Sequence, residues 1–75
     1  MMAKGSFGKG QHVQWNWGSG TGKGRIKERF EDEVERTLQG SKIKRNGSKE
    51  NPAFLIEQED GHQVLKLGSE LEAAG

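Results

Sequence analysis

The sequence predicts a small domain built mainly of β-strands, and two stretches carry that prediction. In residues 51–67, apolar and polar residues alternate on both sides of Asp60-Gly61, a dipeptide that suits the tight turn of a β-hairpin. In residues 9–17, apolar residues recur at every second position, as in a strand with one face buried. The apolar residues of this second stretch are Val13, Trp15 and Trp17.

A two-residue type I′ turn at Asp60-Gly61 would fix the register of the hairpin. The expected opposite pairs are Glu59 with His62, Ile56 with Leu65, and Phe54 with Leu67. Side chains of a strand alternate between its two faces, so Phe54, Ile56, Leu65 and Leu67 are predicted to share one apolar face. A lone hairpin is marginally stable in water, and we expect the strand at 9–17 to cover this face.

The composition limits the size of the core and the class of the protein. The chain has 75 residues, of which 29% are hydrophobic and 31% charged, and it has no cysteine. A single domain with a small core and no disulfide follows. No apolar run is long enough to span a membrane, so we expect a cytoplasmic protein with no membrane partner. We also expect a monomer. The predicted organisation is a disordered tail at 1–8, one domain at 9–72 and a frayed end at 73–75.

Residues 25–40 allow two structures. Ile26, Phe30, Val34 and Leu38 recur every four residues, and opposite charges stand four apart, as in an amphipathic helix over 25–39. The segment around Gln39-Gly40 also resembles a hairpin tip between two short strands, 34–38 and 42–45. The local pattern favours the helix. Further on, Ser69 and Glu72 fit a capping box, which predicts a short helical turn that packs Leu71 against the domain.

The sequence contains no recognisable catalytic or cofactor motif. Residues 18–24 hold four glycines and are expected to form a flexible loop, but they lack the spacing of a phosphate-binding loop, and Gly24 stands where such a loop needs Ser or Thr. His12 and His62 have no further ligand nearby in the sequence and no cysteine to join them. We therefore expect no enzyme activity, no cofactor and no metal site.

The residues most open to a binding role are aromatic and basic. Trp15 and Trp17 lie on one face of their strand, where with Phe54 they are expected either to line an aromatic pocket or to fill the core. Basic residues dominate the chain up to Phe30, which suggests a surface for nucleic-acid phosphates, unless opposite charges pair across strands. The candidate ligand-binding residues are Trp15, Trp17, Lys23, Arg25 and Phe54.

Five stretches of the chain form a combined pattern: KGQHVQW at 9–15 with GRI at 24–26, then NPAFLIE at 51–57, VLK at 64–66 and SEL at 69–71. Together they resemble a known family, the hypervirulence-associated Tudor-like domains. The resemblance spans residues 9–71. The chain departs from the family pattern at Gln11, where an acidic residue is usual, and at Phe54, where the usual aromatic residue carries a hydroxyl.

The resemblance implies an all-β fold, an SH3-like or Tudor-like barrel of about five antiparallel strands with a short C-terminal helical turn. Residues 25–45 then form strands around Gln39-Gly40, with the helix at 25–39 as the alternative fold. The expected function is a non-enzymatic module that binds a protein, peptide or nucleic acid through Trp17 and the glycine loop. The alternative is a structural or stress-associated small protein with no ligand pocket.

Overall fold

The computed structural model describes residues 7–74, and within them the chain is all-β. Seven strands and one 3₁₀ turn follow in order: β1 (His12–Trp17), β2 (Gly20–Phe30), β3 (Glu33–Leu38), β4 (Ser41–Asn46), β5 (Ala53–Glu57), β6 (Gln63–Leu67), the 3₁₀ turn (Gly68–Glu70) and β7 (Glu72–Ala73). Five strands form one sheet in the order β6-β5-β2-β1-β7, and β3 and β4 form a second. The predicted all-β fold is confirmed.

The helix at 25–39 is not formed. Its residues belong to β2 and β3, and the two strands β3 and β4 meet at Gln39 and Gly40, whose φ angles of 48° and 79° match a type I′ turn. Some of the charges that suggested helical pairs four residues apart bind across strands instead. Lys44 lies 3.2 Å from Glu33, and Lys27 lies 3.7 Å from Glu57. Tertiary pairing overrides the local helical pattern here.

Strand β5 is the centre of the domain because both of its faces are buried. Phe54 and Ile56 pack on one side, into a cluster completed by Val13, Trp15, Ile26 and Leu71. Ala53 and Leu55 pack on the other side, into a cluster with Val34, Leu38 and Leu65. The first cluster lies beneath β1 and β2, and the second lies between β5-β6 and the separate β3-β4 hairpin. Phe7 adds an edge-to-face contact on Phe54, with ring centroids 5.9 Å apart.

The predicted β5-β6 hairpin exists, but its predicted register is wrong by one residue. Leu55 lies opposite Leu65 and Phe54 opposite Lys66, so Phe54 and Leu65 occupy different faces. The loop has three residues rather than two, because Gln58 pairs with His62: its amide donates to the His62 carbonyl at 2.7 Å. Within this loop, Gly61 alone has a positive φ, of 89°, as in the bulged three-residue loop. A shift of one residue exchanges every side chain between faces.

The glycine-rich stretch is not the loop that the sequence predicts. Only Gly18 and Ser19 form a turn, whereas residues 20–24 are the first half of β2 and pair with β1 throughout. Glycine is required there by close packing. A Cβ atom on Gly22 would lie 2.5 Å from the Trp15 ring, and one on Gly24 would lie 2.6 Å from Ile56.

The C-terminal turn forms two residues earlier than the predicted capping box. Glu70, not Glu72, caps it, since its carboxylate accepts a hydrogen bond from the Leu67 amide at 2.9 Å. Leu71 is buried in the core, as expected from the sequence. Ala73 pairs with Val13 in β7. The predicted tail at 1–8 falls mostly outside the described residues.

Replacement of Gly22 by Ala is expected to lower the free energy of unfolding by about 1–3 kcal/mol, because the added methyl group overlaps the buried Trp15 ring. Gly20→Ala is the matched control, since its Cβ would lie at an ordinary 3.5 Å from the Trp17 ring. Urea unfolding of both variants measures the difference. Equal midpoints for the two variants would contradict the close packing at Gly22.

Candidate functional site

The β1-β2 hairpin has two faces of different character. Partners across it are Val13 with Gly24, Trp15 with Gly22, and Trp17 with Gly20, and these pairs lie on the inner face, on the same side as the core. The residues between them face outward, and their side chains are polar or charged: His12, Gln14, Asn16, Thr21, Lys23 and Arg25. The hairpin therefore places large aromatic rings on one face and three basic groups on the other.

The two tryptophans on the inner face differ in their exposure to solvent. Trp15 is 4% exposed and lies in the core, whereas Trp17 is 59% exposed and is the only large hydrophobic side chain left exposed in residues 7–74. The Trp17 ring lies beside Gly20 at the end of the hairpin, beyond the reach of the core cluster. The strand continues past the core by one aromatic residue, and that residue is presented to solvent.

The five residues singled out from the sequence do not form one site. Trp15 and Phe54 are buried, and Phe54 is fully covered by its neighbours. Lys23 and Arg25 lie together on the outer face, on the opposite side of the sheet from Trp17. The aromatic pocket that would combine Trp15, Trp17 and Phe54 is therefore absent from this arrangement.

A groove of about 630 Å³ runs across the outer face. Its basic side chains are His12, Lys23 and Arg25, and its acidic side chains are Glu57 and Glu59, from the end of β5 and the loop after it. His12, Glu57 and Glu59 were not among the ligand-binding residues predicted from the sequence. The outward-facing alternation of His12 was visible there, but the approach of the β5-β6 loop to β2 depends on tertiary structure.

Charges near the groove are partly paired. Glu57 interacts with Lys27 at 3.7 Å, whereas Lys23 and Arg25 have no ion pair with any residue in 7–74. In the adjoining loop, the His62 amide donates to Asp60 at 3.0 Å and the His62 ring lies 2.8 Å from the same carboxylate. These hydrogen bonds hold the pKa of Asp60 below its ordinary value.

Within residues 7–74, no group of three or more His, Asp or Glu side chains is placed to hold a metal ion. No helix in the described part of the chain is long and apolar enough to cross a membrane.

Comparison with known families identifies one match. The model of the family described as "Hypervirulence associated proteins TUDOR domain" matches residues 10–71, most of the chain. Neither the curated proteins nor the solved structures contain a match. The family match covers every strand from β1 to β6 and the 3₁₀ turn.

The two tryptophans are expected to respond oppositely to truncation. Trp15→Ala removes a buried ring and should lower the free energy of unfolding by about 3–5 kcal/mol. That is most of the stability of a domain this small. Trp17→Ala removes an exposed ring and should change the unfolding free energy by less than about 0.5 kcal/mol. Thermal unfolding measures both effects, and acrylamide should quench the fluorescence of Trp17 far more than that of Trp15. A Trp17→Ala variant that unfolds would show that the ring is structural.

Proposed function

The chain belongs to the hypervirulence-associated TUDOR domain family, and we propose that it is a non-enzymatic module that binds an extended segment of another protein at the β1-β2 hairpin. The observation that carries this proposal is Trp17. It is a large aromatic ring, 59% exposed, held at the end of a regular hairpin. Tryptophans in such positions are typical anchors of protein interfaces, because they bury a large apolar area with little loss of side-chain freedom.

The mixed charge of the outer face of the β1-β2 hairpin favours a polypeptide over a polyanion. Lys23 and Arg25 attract acidic groups, but Glu57 and Glu59 line the same groove and repel phosphates. A peptide can place an acidic side chain opposite the basic residues and its neutral backbone near the carboxylates. It is then attracted by the basic groups and is not repelled by the acidic ones. A nucleic-acid strand carries a negative charge at every nucleotide, so the two carboxylates repel it.

Nucleic acid is a second candidate, supported by one observation. Lys23 and Arg25 project from the same face and have no ion pair within residues 7–74, so both ammonium and guanidinium groups are available to phosphates. Binding of this kind weakens steeply with added salt, because each phosphate contact releases a condensed counterion. Peptide binding anchored on Trp17 depends mainly on apolar contact and changes little with salt.

An NMR titration separates these functions. The probes are acetylated hexapeptides of acidic, basic and neutral composition, and single-stranded DNA and RNA oligonucleotides. We expect a peptide to shift the Trp17 indole resonance, and Trp17→Ala to weaken its binding by about tenfold or more. Thr37→Ala, an exposed change on the distant β3-β4 hairpin, is the control and should bind normally.

Three results would oppose the proposed binding of a peptide through Trp17. Binding of peptides that Trp17→Ala leaves unchanged would remove Trp17 from the interface. Oligonucleotide binding that falls steeply between low and moderate salt, with no peptide binding, would replace the peptide by nucleic acid. Failure of every probe to move a resonance would favour a structural role without a ligand.

A further inference from the structure

The first half of β2 has one edge that no described strand covers. Backbone groups of successive residues in an antiparallel strand point to opposite edges. The Ile26 amide donates to the Gln11 carbonyl at 3.0 Å, so Ile26 and the even-numbered residues before it point their backbone groups toward β1. Thr21 and Lys23 therefore point theirs toward the other edge. Strand β5 covers that edge only from Arg25 onward.

The chain itself turns away from this edge. Strand β5 ends at Glu57, opposite Arg25, and Gln58 then bonds to His62 to close the β5-β6 loop. In residues 7–74, no hydrogen bond joins another residue to the backbone groups of Thr21 and Lys23 on this side. A longer β5 would lie beside residues 20–24. No strand of residues 7–74 occupies that position.

We infer that an extended peptide binds by adding to this edge as a β-strand, antiparallel to β2 like every other neighbour in the sheet. This inference rests on the proposed function and specifies how the polypeptide is held. Thr21 and Lys23 each donate one backbone N–H and accept with one C=O. The peptide then occupies the line of β5 beyond Glu57.

The side chains beside this edge define the chemistry of the peptide. On the inner face, Gly20 and Gly22 have no side chains, and the Trp17 ring lies 3.5 Å from where a Cβ of Gly20 would stand. A peptide residue opposite Gly20 therefore meets an aromatic ring, which favours a large apolar side chain. On the outer face, the residue opposite Lys23 meets an ammonium group that has no ion pair within residues 7–74, which favours Asp or Glu.

A second copy of this chain fits the edge less well. Two β2 edges paired across a two-fold axis would bring both Lys23 ammonium groups close together on one face. A lysine on an open edge strand is a common means of preventing such self-association. The edge is also only a few residues long, too short to bury the area of a stable dimer. Charge complementarity selects an acidic, apolar peptide.

The test uses hexapeptides with an acidic second residue and apolar third and fifth residues, titrated into the ¹⁵N-labelled chain. The expected result is a shift of the Thr21 and Lys23 amides together with the Trp17 indole. Thr21→Pro removes an N–H that bonds to nothing in the described fold, so it should preserve the domain and weaken binding by about tenfold. Thr21→Ala keeps the N–H and is the matched control, with unchanged affinity.

A scan of the peptide by N-methylation provides evidence that does not depend on the fold of a variant. Strand addition predicts that methylation of alternate amides abolishes binding, while methylation of those between them is tolerated. Uniform tolerance, or no shift of the Thr21 and Lys23 amides with any of these peptides, overturns strand addition. Peptide shifts confined to Trp17 would leave the binding function intact while removing this mode. Shifts of the same amides with protein concentration alone would identify a second copy as the occupant and contradict the inference.

Discussion

The packing of Trp15 over Gly22 is the contact on which the rest of the domain depends. Because a Cβ at Gly22 would lie 2.5 Å from the ring, glycine is required where a strand normally carries a branched residue. The ring can then lie across β2 and close the core over Phe54 and Ile56. The same alternation leaves Trp17 beside Gly20, past the end of the core, where its ring is exposed. The glycines at alternate positions of β2 thus accompany both the buried ring of Trp15 and the exposed ring of Trp17.

Much of the fold follows from local sequence, and the errors have identifiable causes. The strand at 9–17 and the tip at Gln39-Gly40 were predicted from alternation and turn chemistry, whereas choosing strands over the helix at 25–39 required the family resemblance. The register of β5-β6 was wrong because Asp60-Gly61 suits both a two-residue and a three-residue loop. The unbroken apolar run Ala53–Ile56 was the available sign of a strand buried on both faces, since strict alternation indicates only one.

The candidate site was less predictable than the fold. The sequence-based site combined three aromatic residues with two basic ones: Trp15, Trp17, Phe54, Lys23 and Arg25. Side chains alternate between the two faces along β1 and β2, and this alternation places Trp17 and Lys23 on opposite faces. Residues 18–24 were expected to be a loop because glycine is rare inside strands, and their real constraint is a ring contributed by the neighbouring strand. The edge at Thr21 and Lys23, which no strand within residues 7–74 covers, depends on where β5 ends, and no local pattern in β2 encodes that.

Hydrogen exchange of the free protein tests this account most directly, because it compares neighbouring amides of one strand. The amides of Gly22 and Gly24 bond to β1 and should exchange slowly, whereas those of Thr21 and Lys23 face the open edge and should exchange at rates close to those of unstructured chain. An alternating pattern of slow and fast exchange along residues 21–24 is the predicted result. Protection of Thr21 and Lys23 equal to that of the glycines would show that the edge is already covered and would contradict the account.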